Sequence, residues 1–103
     1  MPVVELSLSR LQKLIGKNTN KKQILDSLPF LGLDIESLGR NIVRVEYSPN
    51  RPDYSTDFGI ALGLQGILGI SKGMLRLNIR KQGNYEIKVD SSTSKIRPFV
   101  TGI

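Results

Sequence analysis

The sequence contains no cysteine, no histidine and no tryptophan. Without cysteine, a disulfide framework and a thiolate zinc centre are both excluded. Without histidine, the chain lacks the side chain that most often acts as general base, and Ser–His and Cys–His nucleophile pairs are excluded with it. Any catalysis within these residues would fall to Asp, Glu, Lys or Tyr. No apolar run approaches the roughly 18 residues needed to cross a bilayer. The opening MPVVELSLSR has neither the basic start nor the long apolar centre of a secretion signal. These absences point to a cytoplasmic protein that contacts no membrane.

What is present is enough for one small domain: 103 residues, 39% of them apolar but only 6% aromatic, with a net charge of +6. The charge is uneven. Residues 1–70 hold eight Lys or Arg against seven Asp or Glu, whereas residues 71–103 hold seven against two, Glu86 and Asp90. A basic final third can meet phosphate or an acidic partner, or can be a solvated strand face.

Hydrophobic periodicity divides the chain. Val3-Val4-Glu5-Leu6 is strand-like. Ser7 or Ser9 then opens a helix through Leu8, Leu11, Leu14 and Ile15, with Ser9 and Gln12 in capping-box spacing and Gly16 at the exit. Asn20 and Gln23 repeat the start signal for a second helix through Ile24, Leu25 and Leu28, which Pro29 ends or bends. Asp34–Leu38 and Ile42–Tyr47 read as a hairpin turned by Gly39-Arg40-Asn41, and a third helix is expected from about Ser55 to Ile67. Beyond Gly73 the period becomes alternating. Leu75, Leu77 and Ile79 interleave with Arg76, Asn78 and Arg80, and Tyr85, Ile87 and Val89 interleave with Glu86 and Lys88, which predicts a second hairpin with a basic face. SSTS separates it from an apolar strand, Ile96–Ile103, whose abrupt end suggests a piece of something longer. The expected core is Val3, Leu11, Ile15, Leu28, Val43, Val45, Phe58, Ala61, Leu64 and Leu68. The expected division is a domain over residues 1–72 followed by a hairpin and leading strand over residues 73–103.

The third helix carries Gly59, Gly63 and Gly66 on one face, each weakening an isolated helix by about 1 kcal/mol relative to alanine. Close packing of another element is the ordinary reason. A phosphate-cradling loop is the functional alternative, but GIALGLQG lacks the Lys-Ser/Thr of a P-loop. The preceding stretch, Ser48-Pro49-Asn50-Arg51-Pro52-Asp53-Tyr54-Ser55, reads as a rigid corner. Its prolines fix the backbone, Asp53 or Ser55 caps the helix, Asn50 forms an Asx turn, and Arg51 bridges to Asp53 or Asp57. Against this stand two sharper readings: Asp53 and Asp57 sharing a magnesium ion, and Arg51 touching tRNA phosphate. No catalytic, cofactor-binding or metal-ligating residue is expected in the chain.

NRPDYSTDFGIALGLQG (Asn50–Gly66) resembles the N-R-P-D-x-x-S-x-x-G-[IL]-A-x-x-[IL]-x-G signature of phenylalanyl-tRNA synthetase β subunits. Asn50, Arg51, Pro52, Asp53, Gly59, Ile60, Ala61 and Gly66 match it, with Ser55 one place ahead of its serine. MPVVELSLSRLQKLIGK is also similar, and SKIRPFVTGI resembles the strand leading into that subunit's editing domain. Only Gly-Arg-Asn separates Leu38 from Ile42, where bacterial β subunits carry an inserted domain, so the resemblance is to the archaeal or eukaryotic type. It implies an α+β fold: a small three-helix core with β-hairpin wings, likened in shape to winged-helix DNA-binding modules, followed by strands leading into a missing editing domain. It further implies an α2β2 enzyme that uses ATP and magnesium to charge tRNA(Phe), with its aminoacylation site on the α subunit. In that setting this N-terminal stretch is a non-catalytic assembly domain that engages the α subunit and, in the full enzyme, tRNA(Phe), with no DNA partner expected. The alternative is a free-standing basic RNA-binding module, with Arg51, Arg76, Arg80 and Lys88 as the candidate RNA or partner contacts.

Overall fold

The computed structural model describes residues 1–97 other than Lys17, Leu75 and Gln82. Strand β1 (Val3–Ser7) runs directly into helix α1 (Leu8–Ile15). The start of α1 is capped twice. Ser7 Oγ accepts from the Arg10 N–H at 3.3 Å, and Asn41, in the turn 32 residues further on, accepts from the Ser9 N–H through Oδ1 at 3.1 Å. The expected Ser9–Gln12 box does not form. Gln12 Nε2 instead donates to the Thr19 carbonyl at 2.7 Å and ties down the loop after α1. Gly16 leaves the helix at φ 73°, a conformation natural to glycine.

Helix α2 (Lys21–Ser27) begins with the anticipated Asn20–Gln23 capping box. Pro29 converts its continuation into a 3-10 turn, Leu28–Leu31, which Gly32 closes at φ 75°. The chain then forms the hairpin of β2 (Asp34–Leu38) and β3 (Ile42–Glu46). Both β1 and β2 pair antiparallel with β3, giving the order β1-β3-β2. Val4 lies opposite Val45 and Leu6 opposite Val43, while β2 bulges between Ile35 and Ser37. Helix α3 (Asp57–Ile67) completes an α+β domain.

The sheet's inner face and the three helices enclose Leu6, Leu8, Leu11, Ile15, Ile24, Leu28, Leu33, Val43, Val45, Tyr54, Ile60, Ala61 and Leu64. Three expected core members differ. Val3 sits at the exposed edge of β1, out of phase with buried Leu6; Leu68 only packs against the rim of the cluster; and Phe58 is 54% exposed. Leu6, Leu8, Ile24, Leu33, Tyr54 and Ile60 belong to the core although the sequence reading omitted them.

The second hairpin is a further departure. Among the described residues, 76–81 and 83–90 have no strand pairing, and Leu77, Ile79, Tyr85 and Ile87 stand exposed. An isolated two-stranded ribbon is marginal in water, and nothing among the described residues offers its apolar face a surface. A single helical turn, Ser91–Ser94, capped by Asp90, replaces the expected linker. Of the terminal strand, Pro98–Ile103 lie outside the described residues, and Ile96 and Arg97 carry no strand.

Candidate functional site: the corner before the third helix

The corner is built from local bonds. The Ser48 carbonyl accepts from the Arg51 N–H at 2.9 Å, and the Arg51 carbonyl accepts from the Tyr54 N–H at 3.0 Å. Pro52 starts a 3-10 turn, Pro52–Ser55, in which Ser55 Oγ donates back to the Pro52 carbonyl at 2.7 Å. The cap of α3 is Thr56: its Oγ1 accepts from the Gly59 N–H at 3.3 Å. Neither Asp53 nor Ser55 takes that position, because the 3-10 turn occupies both and α3 begins only at Asp57. The Asn50 side chain makes no Asx-type hydrogen bond among the described residues.

Arg51 and Asp53 form a two-pronged pair, Nε to Oδ1 at 3.0 Å and Nη2 to Oδ2 at 2.7 Å. The same guanidinium lies 3.8 Å from the centroid of the buried Tyr54 ring, so one planar cation serves a carboxylate at its edge and an aromatic at its face. Hydrogen bonding to Arg51 holds the Asp53 carboxyl below the usual carboxylate range, and the pairing raises the Arg51 pKa. Asp57 turns the other way and pairs with Arg10 of α1. The two carboxylates are thus each committed to a different arginine, and they do not fit the donor set of a shared magnesium ion. Arg51 likewise turns its Nε and Nη2 onto Asp53, with its side chain half exposed.

The glycine stripe has two explanations rather than one. A Cβ built at Gly59 would come within 1.8 Å of the Asp53 carbonyl oxygen, so the corner's backbone rests directly on α3. At Gly63 the Leu31 methyls and the Tyr54 hydroxyl stand 3.0 to 3.1 Å from the same position. A Cβ built at Gly66 meets nothing within 4 Å among the described residues, so close packing between them does not account for it. Ala61 is buried in the core.

The structure therefore brings Arg51, Pro52, Asp53, Ser55 and Gly59 together as one corner, with Asn50 at its exposed edge. It leaves Arg76, Arg80 and Lys88 exposed in the stretch without strand pairing. The residues that reasoning from sequence missed are Thr56, Arg10 and Gln65. Gln65 Nε2 donates to the Leu14 and Ile15 carbonyls at 3.2 and 2.9 Å, closing the C-terminal end of α1. A threonine directly before Asp57 was the available signal for the cap. The other two act across about 50 residues and left none.

No family model matches the chain, and no solved structure matches it. Among curated proteins, the phenylalanine–tRNA ligase β subunit of Archaeoglobus fulgidus is 41% identical over 102 residues, covering 99% of this chain and 18% of the relative. The same subunit of Methanothrix thermoacetophila is 36% identical over 101 residues, and that of Methanosphaera stadtmanae 35% over 100; each match covers 97% of this chain and 18% of the relative. Over 97 to 99% of its own length the chain is similar to archaeal phenylalanine–tRNA ligase β subunits, and it spans 18% of theirs.

Proposed function

We propose that the chain is the non-catalytic N-terminal scaffold of a phenylalanine–tRNA ligase β subunit, within an α2β2 enzyme that joins phenylalanine to tRNA(Phe) using ATP and magnesium in the cytoplasm. The observation that carries this reading is 41% identity over 99% of the chain to a β subunit of that name. Residues 1–72 form the scaffold domain, and residues 73–103 lead toward the editing domain. Asn50, Arg51, Pro52, Asp53, Ser55, Gly59, Ala61 and Gly66 are read as the signature residues, and of these Arg51, Pro52, Asp53, Ser55, Gly59 and Ala61 build the corner and its packing. Two features support a role without chemistry: no histidine or cysteine is available in the sequence, and both acids of the corner are spent on arginines. The partners are the α subunit and, through the assembled enzyme, tRNA(Phe).

The test is to incubate the 103-residue chain with ATP and phenylalanine, and separately with tyrosine mischarged on tRNA(Phe). Neither pyrophosphate release nor deacylation is expected, and either one would refute the non-catalytic assignment. A second reading, the free-standing RNA-binding module, is favoured by the exposure of Arg76, Arg80, Lys81 and Lys88. It requires the chain alone to bind bare tRNA with an affinity that falls steeply with salt and is lost on Arg76→Ala with Arg80→Ala. The scaffold reading requires binding only when the α subunit is present.

A further inference from the structure

Helix α3 is apolar nearly all round: in DFGIALGLQGI only Asp57 and Gln65 carry polar side chains. A helix of that composition is normally covered on every side. Here Ile60, Ala61 and Leu64 are buried, but Phe58 is 54% exposed and Leu62 half-buried. Phe58, Leu62 and Gly66 are spaced four apart, so they follow one another along a single line of the helix surface. Gly66 ends that line with its backbone bare, in the last turn of the helix, where no neighbour among the described residues comes within 4 Å of a Cβ built on it. Leu62, Gly66 and Gln65 are also the floor of a groove of about 560 Å³ whose other side carries Lys72, Met74 and Arg76 and no carboxylate.

Three observations thus meet along one line of α3: exposed Phe58 at its start, half-buried Leu62 in its middle, and at its end a bare glycine beside the basic rim. The matched relatives extend far beyond the stretch compared, which is 18% of their length. Resting on the β-subunit reading above, we propose that the Phe58–Leu62–Gly66 line is the seat of another part of the same β-subunit polypeptide. Its occupant is an apolar segment that approaches the α3 backbone at Gly66 and sets a carboxylate against Lys72 or Arg76. The glycine admits a close backbone approach there, as it does for the corner at Gly59.

The experiment uses the Archaeoglobus β subunit with its matched stretch replaced by this chain, beside the 103-residue chain alone. Hydroxyl-radical footprinting reads the oxidation of Phe58, with Phe30, 80% exposed, as an internal comparison. Phe58 oxidation is expected to fall about fivefold in the full-length subunit as the ring gains covering neighbours. In the Gly66→Gln form of that subunit the protection is expected to be lost, while the melting midpoint of the short chain carrying the same change holds. Equal oxidation of Phe58 in both proteins would overturn the proposal. So would protection that appears only on adding the α subunit, or in the short chain alone at high concentration, since the first assigns the face to another chain and the second to a second copy. Aminoacylation by the replaced subunit with its α partner is measured separately: activity with an unprotected Phe58 sinks the docking face and leaves the family reading standing, whereas protection without activity does the reverse.

Discussion

Threonine 56 holds the start of α3 by a single side-chain bond, so its replacement gives the most direct measure of how the corner is held. Thr56→Ala is expected to lower stability by about 1 kcal/mol in urea unfolding, the ordinary cost of removing an N-cap. Asp53→Ala, which removes no cap, is expected to cost less than Thr56→Ala because its pair with Arg51 is half in water. The pair has a pH signature. Arg51 lowers the Asp53 pKa, so its contribution is present above the unfolded carboxylate value near 3.9 and fades as pH falls through the lower folded value. Melting midpoints followed from pH 6 downward are therefore expected to fall more steeply below about pH 4 in the natural chain than in Asp53→Asn. The glycines separate in the same assay. Gly59→Ala drives a methyl into the Asp53 carbonyl and is expected to lose about 3 kcal/mol or more. Gly66→Ala meets nothing within 4 Å and is expected to gain about 1 kcal/mol in the chain alone.

At the scale of elements, the sequence was readable wherever the cause was local. Asn20 with Gln23, Pro29 and the alternation of β3 all act within a few residues, and α2, its end at Pro29 and the first hairpin stand where these signals put them. The reading slipped where a distant group decides. Of the two starts read for α1, Ser7 is the cap, while the Ser9–Gln12 box gives way to Asn41, whose Oδ1 accepts from the Ser9 N–H from the β2–β3 turn and whose Nδ2 donates to Ser7 and Ser9 Oγ at 3.3 and 3.1 Å. Asn41→Ala is accordingly expected to weaken the chain by about 1 kcal/mol and to raise amide exchange in the first turn of α1, a pair of effects that a mere turn residue would not show together. For the corner, the sequence revealed its rigidity but placed the cap at Asp53 or Ser55, because nothing within the stretch shows that a 3-10 turn takes both and delays α3 to Asp57, leaving Thr56 to cap it. The second hairpin failed for the opposite reason. Its alternation is sound, but alternation only states that a strand would have two faces and does not supply a surface to cover the apolar one.

For the whole molecule, the core is small and shared, so truncating one central side chain should be felt everywhere. Leu64 is fully buried against the cluster, and Leu64→Ala is expected to cost about 2 to 5 kcal/mol, enough to abolish most of the margin of so short a chain. A cooperative transition surviving at an unchanged midpoint would show that α3 is not part of the core. The charge is organised at this scale as well. The compact part is nearly neutral, while the exposed stretch after residue 70 carries most of the +6. Colloidal behaviour and contact with polyanions are thereby assigned to a different part of the chain from stability.

Helices α1 and α3 lie side by side with like ends together: Arg10 meets Asp57 near their starts, and Gln65 closes the carbonyls of Leu14 and Ile15 near their ends. This arrangement sets an order of events during synthesis. As the chain leaves the ribosome, the first strand waits for β3 and the first helix for the Asn41 cap and then for α3, whose two fastenings come from residues some fifty positions later. The domain folds late and as one step, and its earliest-made segment is among the last to be secured.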